Sequence, residues 1–269
     1  MTALFRGLFD DAAVFPPGDL PLDEAVAAHR RHRTAWYADT VGPLLCGPAL
    51  LPALVRSGRG LPVGLVLPGG STGPAAALAD AAGLDVAGLE IATNDVAATV
   101  AQLGAELPPG IDAAVELPRD GRTEASLDAL AGTPYRAKYR TGGLTADAFP
   151  SVAELAGFLA GCAGRGLPYK CTAGLHHAVR HTDPATGHDH HGFLNVLLAA
   201  AAGDDRAAAA EALAERSGPL LAKAAAELTD AQVRGARAAF TSFGTCSIDE
   251  PLADLAGLGL LGPPPLEDR

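Results

Sequence analysis

Of the twenty lysine and arginine residues in this 269-residue chain, only Lys138, Lys170 and Lys223 are lysines. Two of them stand in matching contexts, KYRTGG from residue 138 and KCTAG from residue 170. A chain that builds nearly all its positive surface from arginine is not using these two for solubility. An amine held among apolar groups or beside a second cation loses its proton more readily, and a neutral amine is a nucleophile that forms a Schiff base with a carbonyl carbon. On this reading Lys138 attacks, while Lys170 and Arg140 hold it unprotonated. Glu90 and Glu116 could serve as a general acid/base pair or as oxygen ligands to magnesium. The plainer alternative is that each lysine is simply paired with a carboxylate.

A second cluster is made of imidazoles. His176, His177, His181, His188, His190 and His191 fall within sixteen residues. The spacings H-H-x3-H and H-x-H-H could offer ligands to zinc, iron or manganese, with Asp183 or Asp189 as a carboxylate partner. A polar loop in which one imidazole touches substrate is the competing reading, and His176 and His177 are the pair nearest the preceding strand. Towards the C-terminus, GTCSIDEPLADL carries Ser247 and Glu250 in the S-x-x-E relation that starts a helix. The amides of Gly244, Thr245, Cys246 and Ser247 at such a helix start could also hold a phosphate or carboxylate. Thr141, Gly142 and Gly143 would lie beside them.

The elements that must position these groups form a regular series. Short apolar runs at residues 8–15, 42–47, 63–69, 87–93, 112–118, 136–143, 168–174 and 239–246 alternate with alanine-rich helical stretches. Alternating βα units imply a parallel sheet, and eight of them predict a closed (β/α)8 barrel, with a doubly wound open sheet as the alternative. Residues 1–269 then form a single barrel domain. The long stretch at 175–238 is a helical, histidine-rich insertion after strand seven, holding two or three helices broken at RSGP. Strand alternation puts Lys138 and Arg140 on one side, and Lys170 and Thr172 likewise. Asp10 and Asp11 point to opposite faces, and which of them looks inward is open. The final GPPPLEDR reads as a frayed tail.

These motifs together resemble the class I aldolases of the deoxyribose-phosphate aldolase type. That family is a (β/α)8 barrel with its Schiff-base lysine on strand six, in a Lys-x-x-Thr-Gly pattern, and a second lysine on strand seven. KYRTGG and KCTAG match in strand number and following residues, LLCGPALLP is similar to the family's Cys-x-x-Pro strand with Cys46 in place, and GLVLPGG to its Phe-Pro-x-Gly segment. SFGTCS resembles its phosphate-holding Gly-x-Ser-Ser turn, and Glu90 stands near the place of its strand-four acid. Strand five, DAAVELP, lacks the lysine that family usually carries there. The resemblance implies a lyase using Lys138, with Lys170, Cys46 and Glu90 around it. Glu116, Arg140, His176 and His177 join the candidate catalytic set from their own positions on or beside the strands, and the family pattern does not account for the histidine-rich stretch.

Composition sets the outer limits. A formal charge of -11 and a pI near 5.1 argue against nucleic acid and anionic membrane as partners. The one basic run, HRRHR at 29–33, reads as the solvated face of a helix. The most apolar run, GFLNVLLAAAAG, is about half of what a membrane span needs. Four scattered cysteines without a CxxC pair suit reduced thiols and a cytoplasmic location. The expectation is therefore an enzyme of lyase or aldolase type acting on a small anionic carbonyl compound, with no cofactor required. Two rivals stand beside it: a metal-dependent hydrolase, lyase or oxygenase using the histidine loop with Zn, Fe, Mn or Mg, and a non-catalytic metabolite-binding barrel. A homo-oligomer is left open.

Overall fold

A computed structural model describes residues 2–71 and 73–262. The tail expected at 262–269 lies, except for Gly262, outside the described residues. Eight parallel strands close into a barrel: β1 (Phe9–Asp11), β2 (Val41–Cys46), β3 (Pro62–Leu67), β4 (Asp85–Ala92), β5 (Asp112–Glu116), β6 (Arg136–Arg140), β7 (Tyr169–Thr172) and a last strand, Phe240–Thr245. Two-residue strands β8 (His181–Thr182) and β9 (Asp189–His190) form a separate antiparallel hairpin, so the closing barrel strand is β10. Each barrel strand overlaps one of the eight apolar runs, and the helices fall between them, as an α/β barrel requires.

The strands are buried on both faces, but the two faces differ in kind. Outward-facing Val115, Ala137, Tyr139 and Cys171 pack with Leu127, Leu155 and Phe158 of the surrounding helices into one apolar layer. The opposite set, Asp10, Glu90, Lys138, Lys170 and Ser242, is buried and polar. The barrel therefore has an apolar outer shell around an ionic interior.

Helix starts follow the local chemistry. Asp95 caps the helix Val96–Glu106, and Ser151 with Glu154 forms a reciprocal capping box on Val152–Ala163. The insertion holds four helices rather than two or three: Phe193–Ala201, Arg206–Ala214, Gly218–Glu227 and Asp230–Ala239. The helices break at RSGP as expected: one ends at Ala214 and the next starts at Gly218, with Ser217 as its cap and Pro219 in its first turn, where a missing N–H costs nothing. Phe193–Ala201 is apolar all round and accordingly buried. Its one polar residue, Asn195, donates to the carbonyls of Ala212 and Glu215 and accepts from the Arg180 amide, locking the insertion together.

The basic run at 29–33 lies on the helix Leu22–His32 and just beyond, and Arg30, Arg31 and Arg33 are solvated as expected. His29 is the exception. It is fully buried, with Nδ1 2.9 Å from Asp11 Oδ2. Asp11 thus faces the helix layer, and its Oδ1 accepts from the Ala13 amide. Asp10 faces the barrel interior.

Space for the Asp10 carboxylate depends on Gly42, where a Cβ would lie 2.0 Å from Asp10 Oδ1. Gly42→Ala should cost about 1–3 kcal/mol of stability, the range for forcing a methyl into a filled interior. Gly47→Ala, where a Cβ meets nothing within 4 Å, is the matched control. Urea unfolding of the two variants reads the difference.

Candidate functional site in the barrel interior

Lys138 and Lys170 are in direct register on β6 and β7. Both are 2% exposed. Lys138 Nζ lies 2.8 Å from Glu90 Oε2 and 3.0 Å from Glu116 Oε2. Lys170 Nζ lies 2.5 Å from Asp10 Oδ2 and also pairs with Glu90 Oε1. Glu90 thus stands between the two ammonium groups, holding one with each oxygen. Arg140 Nε donates to Glu116 Oε1 at 2.9 Å, and the Ser242 hydroxyl donates to Asp10 Oδ2 at 2.6 Å. The result is a continuous chain, Ser242, Asp10, Lys170, Glu90, Lys138, Glu116, Arg140, with three cations balanced by three anions.

The strand pattern explains the arrangement. Lys138 is opposite Glu116 on β5, while Glu90 on β4 is opposite Ala114, whose small side chain leaves room for both lysines to reach across. Arg140, one pleat above Lys138, has a 43% exposed side chain at the C-terminal mouth. At the opposite end, a cavity of about 180 Å³ opens between the starts of the strands, lined by Gly64, Gly88, Asp112 and Arg136, and reaches Asp10 and Lys170. A larger cavity, about 490 Å³, lies outside the barrel between His177, His181 and the final helix and holds none of this chain.

The electrostatics differ from the expectation of two mutually repelling ammoniums. Burial alone would lower the pKa of Lys170, but Asp10 and Glu90 overcome it and raise the amine above its usual value. Burial would raise Glu90, yet Lys138 and Lys170 hold it down to about 2. Glu116 is likewise lowered, by Lys138 and Arg140 against its own burial. Glu90, intervening between the lysines, makes Lys170 a fixed cation.

The other predicted residues separate into groups. Cys46 packs with Leu44, Leu51, Leu54 and Val63 outside the barrel wall, and burial pushes its thiol up to about 12. The parity of β2 sends it away from the lysines, which corrects its assignment to the site. Thr141 is fully buried, its amide donating to the Thr172 carbonyl and its hydroxyl to that of Ala173. Gly142 lets β6 approach β7, since a Cβ there would lie 2.8 Å from the Gly174 Cα, and at Gly143 a Cβ would lie 2.7 Å from the Ala148 Cβ. Gly244 faces the interior near Leu45 and Thr172. The Thr245 hydroxyl donates to the Ser247 carbonyl. The final helix, Asp249–Gly257, carries Asp249 and Glu250 in its first turn, so its positive end is already offset by its own carboxylates and does not favour a further anion.

Among the described residues the six histidines do not gather into one donor cluster. His181 stacks on His190 with ring centres 5.2 Å apart, and His188 and His190 lie against Phe149. His191 is buried, donating from Nε2 to the Pro150 carbonyl, and burial pulls its pKa down to about 4. His177 Nδ1 is 3.2 Å from Asp254. The segment is a hairpin closed by the Asp183 turn, in which Asp183 accepts from the Ala185 amide and the Thr186 hydroxyl. Among the described residues His176 is the one of the six that joins a mixed donor group, with Cys246 and Glu250. Asp189 is occupied by Thr182, Arg180 and Arg216.

Two residues that sequence reasoning left out of the site are Ser242 and, with its direction unresolved, Asp10. Ser242 shares the inward parity of Gly244, and that parity was the available signal. No protein-family model matches the chain, and no curated protein sequence matches it either.

The network should leave a pH signature. Glu90 and Glu116 titrate lower in the folded chain than at their ordinary 4.5. Their contribution to stability is therefore complete above that value and fades as pH falls towards about 2. Lys170 acts in reverse, contributing fully below its ordinary 10.5 and fading as pH rises through its higher folded value. Glu90→Gln should cost about 3–5 kcal/mol near neutral pH, because it strips a partner from two buried cations. It should also flatten the acid limb of a urea-midpoint against pH series.

Proposed function

We propose that the protein is an enzyme of lyase type that forms a Schiff base between Lys138 and a small anionic carbonyl compound. A closed (β/α)8 barrel is a fold that commonly carries catalysis at its C-terminal mouth. The observation that carries the finer reading is the position of Lys138: buried, below a half-exposed arginine, with two carboxylates within 3.0 Å to receive its proton.

In this scheme the substrate's phosphate or carboxylate takes Arg140 away from Glu116. Glu116, relieved of one cation, accepts the proton of Lys138, and the free amine attacks the carbonyl carbon. Glu116 returns the proton to the carbonyl oxygen, the carbinolamine loses water, and a protonated imine remains. That cation draws the electron pair of the adjacent carbon–carbon bond as it breaks, while Glu90 receives the proton of the departing hydroxyl. Lys170, kept charged by Asp10, balances Glu90 throughout. The likeness of KYRTGG and KCTAG to the deoxyribose-phosphate aldolase type supports the same roles.

Borohydride reduction in the presence of short 2-oxo acids and phosphorylated aldehydes tests the scheme by mass spectrometry of peptides. The expected result is an adduct on Lys138 that is absent in Lys138→Arg. Adducts confined to the exposed Lys223, or none across the panel, contradict it.

A further inference from the structure

Outside the lysine chain, three donors from three elements meet at the C-terminal rim of the barrel. His176 comes from the loop after β7, Cys246 directly follows β10, and Glu250 lies in the first turn of the final helix. His176 Nδ1 is 3.1 Å from Glu250 Oε2 and 3.6 Å from Cys246 Sγ, and the three donor atoms all lie within 4.8 Å of one another. From these positions we infer that His176, Cys246 and Glu250 form a binding site for a zinc ion.

The two separations made by His176 are those of a tetrahedral ion, and Cys246 and Glu250 lie within 4.8 Å of each other. With usual zinc–sulfur, zinc–nitrogen and zinc–oxygen lengths, a tetrahedral site separates N from S by about 3.6 Å and N from O by about 3.3 Å. The donor types agree as well, since thiolate and imidazole with one carboxylate select zinc over magnesium or calcium. Three protein donors leave the fourth position for water or a substrate oxygen.

The local context of Glu250 accords with this contact. Ser151 with Glu154 and Thr229 with Gln232 both complete reciprocal capping boxes in this chain. Ser247 and Glu250 have the same spacing, and the Glu250 amide does donate to the Ser247 hydroxyl at 3.3 Å. The helix starts one residue later than that spacing suggests, with Ile248 as its cap, and the Glu250 carboxylate reaches across to His176. Gly18 makes the rest of the enclosure, since a Cβ there would lie 3.0 Å from the Cys246 Cβ, so the loop after β1 lies directly against the cysteine. The His176 side chain remains 22% exposed and Glu250 44%, which leaves an entry path for the ion.

Binding converts the Cys246 thiol to a thiolate, so each zinc taken up releases one proton to solvent. The site is independent of Lys138: zinc binds whether or not a Schiff base forms there.

The test uses the full chain, stripped with a chelator, then titrated with zinc by calorimetry and with cobalt by absorption. One equivalent of zinc should bind with release of about one proton. The cobalt form should show a thiolate-to-cobalt charge-transfer band. Cys246→Ser should abolish that band, and Cys246→Ser, His176→Gln and Glu250→Gln should each weaken zinc binding by about 100-fold or more. A His181→Ala/His190→Ala variant should bind as the parent does. Urea midpoints confirm that each variant is folded, and Cys246→Ala replaces Cys246→Ser if the latter is not. A parent protein that takes up no zinc, binding unchanged by the rim substitutions, or binding lost with the hairpin histidines would each overturn the assignment.

Discussion

Glu90 shares its two oxygens between two buried ammonium groups, and the interior of the barrel is arranged around that sharing. Moving any of these charges out of water is costly, and the cost is offset only when every partner is present with good geometry. A barrel interior is ordinarily filled by branched apolar side chains. Here Ala114 leaves room beside Glu90 for the two lysines, and Gly42 leaves room for Asp10. The small residues and the charges are one design feature seen from two sides.

That network also divides the labour between the lysines. Lys170 is held from below by Asp10, itself fixed by Ser242, and so behaves as a permanent countercharge. Lys138 is held from above by Glu116, whose other oxygen is committed to an arginine at the mouth. An anion arriving at the mouth can therefore alter the surroundings of Lys138 by engaging Arg140, without disturbing Lys170. Asymmetry between two lysines in the same register thus comes from their carboxylates rather than from their strands.

The barrel could be read from the sequence because its signal is local and repeated: eight apolar runs, each bounded by turn residues, with helices between. The convergence of Lys138, Lys170, Glu90, Glu116 and Arg140 followed from the same period of two. What could not be read along the chain had non-local causes. Cys46 was placed by a motif likeness, while its direction is set by a register irregularity between β1 and β2 that no short motif reports. Asp10 and Asp11 could be separated only through His29, eighteen positions away from Asp11 and buried where its neighbours suggested a solvated face. The histidine cluster looked like a ligand set because spacing along the chain cannot tell a metal site from a hairpin, and the turn at Asp183 and Gly187 folds those rings onto each other and onto Phe149. Along the chain Ser247 and Glu250 look like a helix start and Cys246 like part of an anion-holding turn, and only the fold brings His176 across to Cys246 and Glu250.

The coupling between Glu90 and Lys138, measured by a double-mutant cycle, tests the central claim most directly. The variants Glu90→Gln, Lys138→Met and the two combined would be compared by urea unfolding near neutral pH. If the two side chains belong to one buried chain of charges, the double variant is more stable than the sum of the single losses predicts, by about 1–3 kcal/mol. Additivity to within about 0.5 kcal/mol would mean that the charges are solvated independently, and would contradict the account.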